Sequence, residues 1–237
     1  MDEIAIEVKA LSYWYPDGTR ALEDVSLTVY RGECLGVIGP NGAGKTTLLL
    51  HLNGVLQGTG EIRVFGTPVD RTTLRTVRQQ VGLVFQDPDD QLFMPTVFDD
   101  VAFGPVNMGC AMDEVMQRVA RALSFVGMTG CERKPAHHLS FGEKKRVSIA
   151  TVLAMDPQVL VLDEPTSSLD PRARRNLIRL LKCLSLTRVI ATHDIHLVAE
   201  LCGRCLVLDG GRVAACGPTH ELLTDKTLLE AHGLEVP

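Results

Sequence analysis

Gly39-Pro40-Asn41-Gly42-Ala43-Gly44-Lys45-Thr46 fits the spacing G-x-x-x-x-G-K-[ST]. The apolar run Cys34–Ile38 precedes it and Thr47–Leu50 follows. The spacing therefore predicts a strand that turns into a helix through a phosphate loop. Glycines let backbone N–H groups close around phosphate oxygens, and the start of a helix adds partial positive charge. Lys45 is expected to reach the β- and γ-phosphates of a nucleoside triphosphate, and the Thr46 hydroxyl to hold Mg²⁺. Read alone, the loop implies a bound triphosphate and leaves its use open.

The rest of the chain sets bounds. Its 237 residues suit one large α/β domain or two small ones, and 45% hydrophobic content supports a sizeable core. The net charge of −5, with dispersed basic residues, argues against a nucleic-acid groove. Met1–Val8 alternates like a strand and does not read as a secretory leader. No apolar run approaches the roughly 18 residues of a membrane span. The seven cysteines are irregularly spaced and read as reduced thiols of a cytoplasmic protein. Cys202-Gly-Arg-Cys205 has no second pair, and His193 and His196 do not complete a metal quartet.

Working outward from the loop, residues 4–31 predict alternating strands with a turn at Pro16-Asp17-Gly18. Ile62–Phe65 and Val81–Phe85 read as short strands. From about 87 to 155 the composition changes to helix and loop, an expected helical insertion in one domain covering 1–237. There, Asp113 is expected to cap a helix with apolar positions Val115, Val119, Ala122 and Val126. Strands resume at Val159–Leu162 and Arg188–Ala191. Between them, Asp170 and Pro171 start a helix with Ala173, Leu177, Leu181 and Leu184 on one face. Alternating strands and helices imply a mainly parallel sheet.

Polar residues punctuate the strand ends. Val159–Leu162 delivers Asp163 and Glu164 to the sheet edge beside the phosphate loop. Asp163 is expected to hold Mg²⁺, directly or through water. Glu164 is expected to act on the attacking water as general base or orienting group. Gln86 and His193 each follow a strand, where a γ-phosphate sensor belongs. A glutamine amide can contact both Mg²⁺ and water, and a neutral histidine can hydrogen-bond the γ-phosphate and hold the water or Glu164 in place. Ser140 precedes a helix starting near Gly142, which is an anion site, while Ser140 and Glu143 also form a capping box. The two readings are compatible.

The ordered set Gly39–Thr46, Gln86, Leu139–Glu143, Asp163-Glu164, Ser168–Asp170 and His193 resembles that of an ATP-binding cassette ATPase. The resemblance runs over essentially the whole chain. It implies a RecA-like, mainly parallel sheet with an antiparallel β subdomain and an inserted α-helical subdomain. It also implies ATP hydrolysis with Mg²⁺ by two copies packed head to tail. Each ATP would lie between one copy's Gly39–Thr46 and Thr47 and the other's Ser140, Gly142 and Asp170. Tyr15 matches the family's base-stacking aromatic, with Tyr13 as the alternative; no N-K-x-D motif for guanine is found. Two positions depart from the family's L-S-G-G-Q: Phe141 replaces a glycine and Glu143 the glutamine. A carboxylate there would repel a γ-phosphate unless it folds back to cap the helix, and Lys144, Lys145 and Arg146 could offset it.

Asp87–Gly109 is similar to the segment of energy-coupling-factor ATPases, particularly those of cobalt and nickel uptake. In that family it meets arginine-bearing coupling helices of a transmembrane partner. Here Asp87, Asp89, Asp90, Asp99 and Asp100 are acidic, while Leu92, Phe93, Met94, Val97 and Phe98 are apolar. Such a segment would form an apolar floor with an acidic rim for a basic amphipathic helix, or a solvated loop over a small core. The resemblance thus implies a peripheral ATPase on the cytoplasmic face of the membrane. Its partners would be a transmembrane energy-coupling subunit, a substrate-binding membrane subunit and a second, identical ATPase copy. Cobalt is the first expectation for the substrate, then nickel. A vitamin system, or a soluble ABC ATPase outside transport, are the alternatives. A small-molecule kinase would explain neither the second anion site nor the strand-end sensors.

Overall fold

The computed structural model describes residues 3–234, so Met1 and Asp2 of the expected first strand lie outside the described residues. The chain divides into two compact units, Met1–Leu83 with Gln158–Glu164 and Ser185–Pro237, and Val84–Pro157 with Pro165–Leu184. In chain order the elements are β1 (Ile4–Trp14), β2 (Arg20–Tyr30), β3 (Cys34–Ile38), α1 (Lys45–Leu52), β4 (Thr59–Val64), β5 (Thr67–Pro68), α2 (Leu74–Gln80) and β6 (Val81–Val84). Then come α3 (Val97–Met108), α4 (Met112–Phe125), α5 (Phe141–Leu153), β7 (Val159–Asp163), α6 (Pro171–Lys182), β8 (Thr187–Thr192) and α7 (Ile195–Leu201). The chain closes with β9 (Arg204–Asp209), β10 (Arg212–Pro218), α8 (Thr219–Leu222) and α9 (Lys226–Ala231). None of the described helices is long and apolar enough to cross a membrane.

The first unit holds two sheets. One is antiparallel, in the order β2-β1-β4-β5. The β1–β2 turn falls where Pro16-Asp17-Gly18 predicts it. Gly18 N donates to Tyr15 O at 2.9 Å, and Thr19 N to the Asp17 carboxylate at 2.8 Å. The alternation of β1 is interrupted at Ala10, whose φ of 52° accompanies a register shift between Val8 and Leu11. That bulge returns Leu11 to the buried face it shares with Ile6 and Val8.

The second sheet runs β10-β9-β3-β8-β7-β6. β3 pairs in parallel with both β8 and β9, and β7 with β8. Every residue of β3 and β7 is buried, as continuous apolar runs covered on both faces require. Parallel register brings the C-terminal ends of β3, β7 and β8 to one edge, where the loops that follow them can meet.

The second unit is helical. Val115, Val119 and Ala122 of α4, with Val126 just after it, are buried, so the expected apolar face is the packed one. The expected cap is corrected: Ala111 is the N-cap, and Asp113 sits in the first turn, where its charge complements the helix dipole instead. This unit begins at Val84 and takes in α6, which packs on α5: a Cβ on Gly142 would stand 3.1 Å from Ala173 Cβ. On α6 Leu177 and Leu181 are buried, whereas Arg172, Arg175, Arg179 and Lys182 are exposed.

Candidate functional site

The phosphate loop joins buried β3 to α1, and its glycines are there for space as well as for φ. A Cβ on Gly39 would lie 2.0 Å from Leu208 O of β9. Gly44, the N-cap of α1, takes φ 100° and passes so close to Ala21 O that a Cβ would meet it at 2.6 Å. No L-side chain meets both demands. Pro40 is partly exposed and Ala43 buried, while Asn41 and Gly42 stand in solvent at the loop's outer turn. The N–H groups of Lys45, Thr46 and Thr47 belong to the first turn of α1 and have no carbonyl four residues back within the helix. The Thr47 hydroxyl lies 2.9 Å from the Tyr15 phenol oxygen, which ties the first turn of α1 to the end of β1.

Lys45 is buried, and its ammonium donates to Gly39 O at 2.7 Å and Pro40 O at 3.0 Å. Burial pulls its pKa below the usual lysine value, against the opposing pull of Glu164 and Asp163. An ammonium resting on neutral carbonyls can exchange them for phosphate oxygens, which carry the charge it lacks.

Thr46 Oγ1 donates to Asp163 Oδ2 at 2.7 Å, across 117 residues of sequence. A hydroxyl and a carboxylate so close form a hard-oxygen pair, the donor set that Mg²⁺ takes in phosphate sites.

Glu164 follows on β7's end with φ 41°, a strained value for a non-glycine residue. Its N–H donates to Ala191 O at 2.8 Å, which continues the β7–β8 register for one more residue. The side chain is buried and clamped. Thr192 Oγ1 donates to Oε2 at 2.8 Å, and His193 donates to Oε1 from its backbone N–H at 3.0 Å and from Nδ1 at 2.8 Å. A carboxylate only accepts, so His193 Nδ1 carries the proton. A neutral His193 therefore has a bare Nε2, which cannot donate to a phosphate. Of the roles expected of a neutral His193, this geometry provides the hold on Glu164 and no donor for the γ-phosphate. Thr192, the clamp's second donor, was missed as a site residue because a threonine ending a β-strand is ordinary; only the β7–β8 register reveals it.

The remaining expected residues fall in the helical unit. Gln86 is exposed, and its carbonyl accepts from Lys145 Nζ at 2.6 Å; Phe85 O accepts from the same ammonium at 3.1 Å. Lys145 is fully buried on those two carbonyls, so of the three cations expected to offset Glu143 it is engaged elsewhere. Lys144 likewise pairs with Asp89 at 2.7 Å, and Arg146 supplies the favourable charge. Glu143 folds back: Oε2 accepts from Ser140 N at 2.9 Å and Ser140 Oγ at 2.7 Å, closing the capping box. Those bonds, the hydroxyl's foremost, hold its carboxyl below the usual range. Asp170 caps α6 through the N–H groups of Arg172 and Ala173 at 2.8 and 2.9 Å, and these bonds lower its pKa too. Ser140, Gly142 and Asp170 line one cavity of about 540 Å³, together with Arg146 and Arg172.

The acidic segment is corrected in part. Asp100 is buried rather than on a rim; Oδ1 accepts from Phe93 N and Met94 N at 3.0 and 2.9 Å, and burial raises its pKa. Leu92 and Val97 are buried, while Phe93 is 64% exposed and Phe103 and Val106, one turn apart on α3, are about half exposed. Phe93 and Phe103 meet edge to face at 5.2 Å.

A phosphate loop whose threonine reaches a strand-end aspartate, followed by a clamped glutamate, defines the class: a nucleoside triphosphatase of the phosphate-loop type. The chain belongs to the ABC transporter family, whose pattern matches residues 22–167. It is 50% identical over 238 residues to the energy-coupling factor transporter ATP-binding protein EcfA of Methanothermobacter thermautotrophicus, covering 98% of this chain and 76% of that protein. Among solved structures it is similar to CbiO1 from Clostridium perfringens, part of the ABC transporter complex CbiONQ, with TM-score 0.85 and 42% identity over 97% of this chain and 94% of that one. It is also similar to the ATP-binding cassette MJ0796 in a dimeric post-hydrolysis state bound to ADP and Pi, with TM-score 0.81 and 27% identity over 90% and 98%. The fold is that of an ABC ATPase, and the chain is an ATPase.

Proposed function

We propose that this chain is the ATP-hydrolysing subunit of an energy-coupling-factor importer. It works as a pair of identical copies on the cytoplasmic face of the membrane and powers uptake of a transition-metal ion, cobalt first and nickel next. Separate transmembrane energy-coupling and substrate-binding subunits would carry the ion, and no nucleic acid is involved. The observation that carries the hydrolytic reading is the clamp on Glu164, beside Lys45 and the Thr46–Asp163 pair. The transport reading draws support from the likeness to EcfA and CbiO1 and from the exposed Phe93.

On ATP, Lys45 exchanges the carbonyls of Gly39 and Pro40 for β- and γ-phosphate oxygens, and the N–H groups of Gly42–Thr47 close on the phosphates. Thr46 and Asp163 would hold Mg²⁺, with Gln86 as a further oxygen ligand; the ion supplies charge that offsets the developing negative charge on the phosphates. Thr192 and His193 fix the Glu164 carboxylate, which orients a water and accepts its proton as the oxygen adds to the γ-phosphorus. The bond from that phosphorus to the β–γ bridging oxygen breaks, leaving ADP and phosphate. Tyr15 stacks on the adenine. Ser140, Gly142 and Asp170 of the second copy complete the site, with Arg146 and Arg172 making that face attractive to anions and Glu143 turned into its own helix cap.

Co-purification from membranes, with identification of the partners and measurement of cobalt-dependent uptake, tests the proposal. Recovery of a vitamin-binding membrane subunit would overturn the metal and leave the ATPase. Recovery of no membrane partner would favour a soluble ABC ATPase.

A further inference from the structure

We infer that Tyr13 and His51 are positioning residues for the nucleotide base. They brace Tyr15 against the helix that holds the phosphates. The inference rests on Tyr15 being the stacking surface.

Four side chains form a closed circuit in the first unit. The Tyr15 phenol oxygen lies 2.9 Å from Thr47 Oγ1. The Tyr15 ring meets the Tyr13 ring edge to face, with centroids 5.2 Å apart and planes at 82°. Tyr13 in turn meets the His51 ring at 4.8 Å and 72°. His51 Nδ1 lies 2.7 Å from Thr47 O, which closes the circuit on the residue where it began. Two of the four, Thr47 and His51, belong to α1, one turn apart.

Each contact constrains a different freedom. Tyr15 stands at the end of β1, 38% exposed, and an unbraced tyrosine there could rotate about two side-chain torsions. The phenol bond fixes one end of the ring and the Tyr13 edge fixes its tilt. His51 is fully buried, and burial lowers its pKa, which keeps the imidazole neutral. A carbonyl only accepts, so the proton sits on Nδ1, and Nε2 has no hydrogen-bond partner among the described residues. An aliphatic side chain would fill the space without stranding a ring nitrogen. What a leucine could not supply is a flat ring whose plane is set by the bond to Thr47 O and passed on to Tyr13.

The consequence is pre-organisation. The surface for the base is tied to the same helix whose first turn faces the phosphates. Base and phosphate subsites then keep a fixed separation, and ATP does not have to order Tyr15 on binding.

The test compares ATP with inorganic tripolyphosphate, which has phosphates and no base, on the full-length protein with Mg²⁺. Tyr13→Leu should raise Kd and KM for ATP about 3- to 10-fold, the scale of an aromatic pair. Tripolyphosphate Kd and kcat at saturating ATP should move less than about twofold, and Tyr13→Phe should restore ATP affinity. Equal weakening of both ligands would reduce Tyr13 to a structural prop and overturn the inference, as would unchanged ATP affinity. Tyr15→Phe, at an exposed position that keeps the ring, is the second variant: an ATP-selective loss is expected, and no loss overturns the bracing. Tyr15→Ala separates the layers. If it weakens ATP while Tyr13→Leu does not, the bracing fails and stacking stands; if Tyr15→Ala leaves ATP affinity intact, stacking itself fails.

Discussion

Glu164, the proposed proton acceptor, takes three hydrogen bonds from Thr192 and His193 at β8's end. Replacing it with glutamine removes the proton acceptor and keeps the shape. Turnover should fall about 10²- to 10⁴-fold, the range of a lost general base, while ATP binding persists. Size-exclusion chromatography with ATP should then show an accumulated dimer. Undiminished turnover would remove Glu164 from the chemistry. Thr192→Val deletes one donor to a charged acceptor, so kcat should fall about tenfold with KM for ATP little changed. A change in KM alone would assign Thr192 to binding. Asp163, Glu164 and His193 were legible because strands of apolar residues end at them. The Thr192 bond was not, since it depends on Asp163 standing opposite Ala191 in the β7–β8 ladder.

Helix ends show both outcomes of local reading. The capping box of α5 and the Asp170 cap of α6 were legible, because each is settled within four residues of sequence. Asp113 was misread because the chain enters α4 two residues earlier, at Ala111. In the α5 box the departure from the family's signature takes the form expected of a carboxylate that folds back: Glu143 accepts from Ser140 N and Oγ at its own helix start. Glu143→Ala should lower stability by about 0.5–1 kcal/mol at pH 7, measured by thermal or urea unfolding. The folded carboxyl titrates below its unfolded value. Its contribution is therefore complete above the ordinary glutamate range and lost as pH falls through the lowered folded value. The gap between wild type and variant should close in acid; a gap independent of pH would assign the effect to helix propensity.

For the whole molecule, Phe93, Phe103 and Val106 leave large apolar side chains in solvent. Surface aromatic side chains beside Asp90 and Asp99 suit a basic amphipathic partner helix. Phe93→Asp should abolish co-purification with the membrane subunit, with the ATPase rate of the isolated chain read in the same preparation. Retained co-purification would move the docking surface elsewhere. The fold class was legible in outline because parallel-sheet strands are continuous apolar runs. Less legible was the division of labour inside Asp87–Asp100, where five similar carboxylates take different places. Asp100 is buried under a turn, Asp87 caps one, and Asp89 pairs with Lys144.

Sequence alone determined the phosphate loop, the strand-end carboxylates and the caps of α5 and α6. Each is written in consecutive residues, and its geometry follows from glycine freedom, strand ends and unpaired helix N–H groups. The tertiary structure decided which partner each polar group takes. Thr46 meets Asp163 from 117 residues away. Lys145 turns inward to the carbonyls of Phe85 and Gln86. His51 and Tyr13 close on Thr47 beneath Tyr15. Those choices depend on strand register and on which helix face is buried, and burial makes every unmet hydrogen bond costly.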